Sequence, residues 1–109
     1  MSQIDDFFGT VVSGSKGLAE QTLQGFVAQA KDDTRNFLAQ SKQQLQQWTT
    51  QLALGQLSKM EFEVLVGGLK DLAALRALTQ AGIAAADIQR FRDALITLVI
   101  DAAFKTFLP

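Results

Sequence analysis

Three pairs of carboxylates come closest to a chemical constellation in this chain: Asp5 with Asp6, Asp32 with Asp33, and Glu61 with Glu63. Acid–base or metal chemistry needs carboxylates that converge on one point. Adjacent residues on a helix project about 100° apart, so neither Asp pair converges, and Glu61 and Glu63 are no better placed. Histidine is absent, which removes the commonest general base and metal ligand together with the Glu-x-x-His pattern of ferritin-like metal sites. Cysteine is absent too, so neither thiolate chemistry nor a disulfide framework is available. Gly67 and Gly68 are followed by Leu69 rather than by a lysine and hydroxyl pair, and do not make a phosphate-binding loop. The expectation is a protein that is not an enzyme, with no catalytic residues, no metal site and no cofactor.

The chain has 109 residues, enough for one domain with a modest core. Ten basic residues face eleven acidic ones, and the basic residues are spread along the chain without a cluster longer than Arg90 with Arg92. Nucleic acid is therefore not an expected partner. Met1 to Gln3 followed by Asp5 and Asp6 lacks the basic start and apolar stretch of a secretory signal. The best uncharged apolar run, Ala94 to Ile100, falls far short of the ~20 residues a membrane span needs. A cytoplasmic protein is expected, with signal-less export as the alternative.

An all-α fold follows from the single proline, Pro109, and from the abundance of Ala, Leu, Gln and Lys. The pattern predicts a small bundle of three main helices, over about 18–54, 59–81 and 85–107, preceded by an N-terminal arm or helical turn. Residues 1–17 read as a flexible arm because Gly9, Gly14 and Gly17 weaken a helix there. Phe7 and Phe8 in that arm either tuck against the helical domain of 18–109 or hook a partner. In 18–54, Leu23, Val27, Ala30, Thr34, Phe37, Ser41, Leu45, Trp48 and Leu52 recur at steps of three and four and form one face. Asp32, Asp33 and the glutamines read as the solvated side. Unbroken, that helix would be ~55 Å long; Gly25 is the expected point of any bend.

Gly55 suits the left-handed position after a helix. Ser58 and Glu61 form a capping box, with Leu57 and Phe62 as a hydrophobic staple. Gly82 and Ile83 repeat this grammar with the weaker cap Ala84. Between these turns, Gly67 and Gly68 predict either close approach of another backbone or a kink, and close approach is the preferred reading. Helix 85–107 carries a narrow polar stripe of Arg90, Asp93, Thr97, Asp101 and Lys105.

The last two predicted helices carry more apolar surface than one partner helix covers. Ile88, Phe91, Leu95, Leu98 and Val99 fill one face of the final helix. A second row holds Ile96, Ile100 and Phe107, and the helix before it adds Val64, Leu75 and Leu78. Each large side chain left uncovered forfeits roughly 1.5–3 kcal/mol. Val64, Leu75, Leu78, Ile96, Ile100 and Phe107 are therefore the expected protein-interface residues of a non-catalytic interaction or self-assembly protein. The favoured partner is a second copy, giving a homo-oligomer, and a heterologous protein bound by a small adaptor or chaperone is the alternative. A membrane surface is a further rival, disfavoured because Arg90, Arg92 and Lys105 are balanced by Asp87, Asp93 and Asp101. If the chain folds back near Gly25, the missing cover comes from within and the bundle is monomeric.

Overall fold

Folding back near Gly25 is what the chain does. The computed structural model describes residues 3–23 and 25–108. Met1, Ser2, Gln24 and Pro109 lie outside the described residues, so the expected arm at positions 1 and 2 and the expected domain at 109 are not addressed there. The described residues form α1 (Gln3–Thr22), α2 (Val27–Ala53), α3 (Lys59–Gly67), a 3-10 segment (Gly68–Leu72), α4 (Arg76–Gln80) and α5 (Ala85–Phe107), with no strand among them.

The arm expected over 1–17 is instead most of α1, a helix of 20 residues. Each helical glycine costs about 1 kcal/mol relative to alanine, but Phe7, Val11, Ser15 and Ala19 recur every four residues and are all buried. Burying a phenylalanine or valine returns roughly 1.5–3 kcal/mol each, so tertiary packing overrides the weak propensity. Gly14 also has a packing role: a Cβ built there would lie 2.8 Å from a methyl of Leu98, which marks the close approach of α1 and α5. The helix expected over 18–54 is thus split between α1 and α2. The break is made by Gly25 at φ 129° and by Phe26, which takes the left-handed conformation at φ 57°.

At 27 residues α2 is ~40 Å long, matching the 42 Å long dimension of the molecule. It ends in a Schellman motif, in which Gln56 N–H donates to Gln51 O at 2.9 Å and Gly55 N–H to Leu52 O at 3.2 Å. Gly55 supplies the positive φ of 74° that this needs. The same closure ends α4, through Ile83 N–H to Leu78 O and Gly82 N–H to Thr79 O. The capping box of α3 forms as the residue types require: Glu61 N–H donates to Ser58 Oγ at 3.1 Å, and Ser58 N–H to Glu61 Oε1 at 2.9 Å.

The helix expected over 59–81 does not run through. It passes from α3 into the 3-10 segment at Gly67 and Gly68, leaves helical geometry at Ala73, and restarts after Leu75, whose φ is 52°. Among the described residues, nothing beyond the local helix backbone lies within 4 Å of a Cβ built at either glycine. The pair therefore marks a change of helix type, and the expected close approach of another backbone does not occur among the described residues.

α1 packs on both α5 and α2, while α3, the 3-10 segment and α4 close the remaining side against α2 and α5. One hydrophobic core joins buried residues from every one of these elements. Phe7 stacks edge-on to Phe107 with ring centres 5.8 Å apart, and Phe62 meets Phe104 at the same separation.

Candidate functional site

The six positions expected to meet a partner do not share one surface. Leu75 is 3% exposed, Leu78 0% and Ile96 8%, so these three belong to the core and have no face to offer. Ile100 and Phe107 are half-buried and pack against that core. The cover that the pattern lacked comes from α1, which packs on α5, and from α2, which packs on α4 and on the Leu75 side of it. Val64 alone stands clear, at 71% exposure.

Val64 is not isolated. With Leu57, Met60, Leu65 and Glu61 it lines a shallow cleft on the outer side of α3. Met60 is 75% exposed, whereas Leu57 and Leu65 are half-buried. Helical phase explains this: Phe62, Val66 and Leu69 point into the core, which turns Met60, Val64 and Gly67 to the opposite side within a sector of roughly 60°. Glu63 borders one edge of that sector and Glu61 the other. Lys59 is turned toward α5, its Nζ 5.4 Å from the centre of the Phe104 ring, a favourable cation–π distance. The other large exposed apolar side chains, Phe26, Leu54 and Leu72, do not line this cleft.

The capping box sets the charge of the rim. The Ser58 backbone N–H, helped by the Ser58 hydroxyl, holds the Glu61 carboxyl below its ordinary range, against a small opposing effect of burial. Glu63 has no ion-pair partner among the described residues. The rim is thus doubly acidic.

A second polar feature was invisible in the helical pattern. Asp33, placed by that pattern on the solvated side of α2, is 3% exposed. Its two carboxylate oxygens accept the backbone N–H groups of Ala77 and Leu78, each at 2.9 Å. These are the second and third residues of α4, whose own cap residue Leu75 contributes no side-chain hydrogen bond. Asp33 therefore caps α4 from another helix, satisfying two of its free amides. Its spacing, three residues after Ala30 and four before Phe37, was the available signal. On the other flank, Arg92 Nε donates to Ala73 O at 2.9 Å and Lys70 pairs with Asp93. The Lys70 hydrogen bond holds the Asp93 carboxyl below its ordinary range.

These carboxylates are structural in their geometry. Among the described residues no group of three or more His, Cys, Asp or Glu could hold a metal ion, and no buried side-chain polar atom lacks a hydrogen-bond partner. No described helix is long and apolar enough to cross a membrane. The chain matches no protein-family model, and no curated protein or solved structure shows significant similarity to it.

Proposed function

We propose that this chain is a non-catalytic protein-interaction module whose contact surface is the outer face of α3, centred on Met60 and Val64. The observation that carries this reading is the cleft of Leu57, Met60, Val64 and Leu65, where the two most exposed large apolar side chains among the described residues stand side by side. Contiguous apolar surface rimmed by charge marks interaction sites on soluble domains. The absence of histidine and cysteine from the whole chain supports the non-catalytic part.

A photo-crosslinking residue introduced at Val64, compared with one at Gln43 on the exposed side of α2, tests it in the native cells. A discrete adduct from position 64 and none from position 43 is the expected result. Equal labelling at both positions, or none at 64, removes α3 as the contact surface.

A further inference from the structure

Resting on that reading, we infer that the α3 face takes an amphipathic helix of another protein, with apolar side chains on its contact stripe and basic residues along both flanks. A second copy of this chain is the first alternative to weigh, and size counts against it. Met60 and Val64 with the partly covered Leu57 and Leu65 present a patch on the order of a few hundred Å², ordinary for the largest patch on a monomer. A stable two-protein interface takes roughly 800 Å² from each side.

Charge counts against it as well. If two copies meet face to face through α3 in antiparallel orientation, symmetry sets Glu61 beside Glu61 and Glu63 beside Glu63. In parallel orientation, Glu61 of each faces Glu63 of the other. Acid meets acid either way, and Lys59 is turned to the Phe104 ring rather than to the rim. Like charges so placed are repulsive. An anionic lipid surface meets the same objection.

A basic-flanked helix avoids the charge objection, and a single helix, about 10 Å across, asks less of the face than a whole second domain does. Its apolar stripe fits over Met60 and Val64 between Glu61 and Glu63, and its flanking lysines or arginines pair with Glu63 and with the Glu61 oxygen that the Ser58 amide leaves free, the helix-in-groove mode of recognition. Gly67 continues the face beyond Val64 and Gly68 follows it, with open space where a Cβ would stand. The end of α3 therefore puts no side chain in the way of the incoming backbone.

The test uses two 15-residue model helices with identical leucine stripes, one flanked by lysines and its twin by glutamates, titrated into isotopically labelled full-length protein and read by amide chemical shifts. The lysine-flanked helix is expected to shift amides of α3 and to bind roughly tenfold more tightly than its twin, as follows when two exposed pairings change from attraction to repulsion. Val64→Asp abolishes that binding. Glu61→Gln with Glu63→Gln brings the two affinities within about threefold while keeping the cap, since glutamine also completes a capping box.

Equal affinities at α3 overturn the inference but leave the interaction reading standing. Shifts confined to other elements, or no binding by either helix, overturn the inference, and the crosslinking result then decides whether α3 is a contact surface at all. A dimer mass by light scattering that Val64→Asp reduces to monomer makes a second copy the occupant. Val64-dependent sedimentation with phosphatidylglycerol vesicles makes it a lipid surface.

Discussion

Replacing Asp33 tests whether a side chain on one helix decides where another begins. The two 2.9 Å hydrogen bonds from Ala77 and Leu78 end on a carboxylate that is almost wholly buried. Bonds to charged groups contribute about 1.5–3 kcal/mol each. The full sum overstates the loss, because the Ala77 bond is only partly buried and water can replace part of it, and because the variant no longer desolvates a carboxylate. Asp33→Ala is therefore expected to cost about 2–4 kcal/mol, lowering the melting temperature by roughly 8–16 °C at this chain length.

Asp33→Asn is the sharper variant. At an ordinary cap asparagine is about as good as aspartate, since one oxygen is used. Here both oxygens are used, so the Asn amide turns a donor toward a donor, and asparagine should recover no more than about half of the loss. Asp32→Ala is the control. Its ion pair to Arg35, at 3.9 Å, is well exposed, and its loss should stay within about 0.5 kcal/mol. Urea titrations followed by circular dichroism give the energies, and hydrogen exchange at the amides of Ala77 and Leu78 locates them. An Asn variant as stable as the parent, or an Ala variant within 0.5 kcal/mol of it, would refute the two-oxygen cap.

Two further outcomes follow from the same structure. Gly9 and Gly17 sit inside α1 with open space around a built Cβ, so Gly9→Ala and Gly17→Ala should each stabilise the protein by about 0.5–1 kcal/mol in thermal melts, whereas a disordered arm would show no effect. Glu61 and Asp93 have folded-state pKa values held below their ordinary ones. Their contribution is present above the unfolded-state pKa and is lost as the pH falls through the folded one, so stability declines below about pH 4. That decline should be shallower in Glu61→Gln and Asp93→Asn when denaturant midpoints are compared from pH 6 to 2.

Turn chemistry was the most legible part of the fold. Gly55, Ser58 with Glu61, and Gly82 act through neighbours within six residues, and each closes the helix end its type implies. The final helix was legible for a related reason, since its polar stripe is local and continuous. What escaped the sequence was settled at long range. Ala73, Ala74 and Leu75 favour helix by propensity, yet the chain turns there because Leu75 is buried and Asp33 holds the next amides from 44 and 45 residues away. The glycines of α1 argued for an arm, and the face it buries against α5 and α2 makes it a helix. That same omission inflated the apolar surface assigned to the last two helices. With α1 on α5, and with the break at Ala73 to Leu75 letting α4 pack on α2, Leu75, Leu78 and Ile96 become core, and of the six expected contact residues Val64 is the one mostly exposed.

The pairing of α1 with α5 also sets an order of events. The Phe7 ring meets Phe107, so α1 finds its main neighbour only after α2, α3, α4 and α5 have been made. Until then Phe7 and Val11 have α2 alone beside them, and the nascent chain carries an apolar face that a chaperone or another nascent chain can reach. Closing so long a loop before its contacts form costs entropy that a bundle of sequential hairpins avoids. This fold is accordingly expected to form only once α5 has been made, and more slowly than its helical content alone suggests.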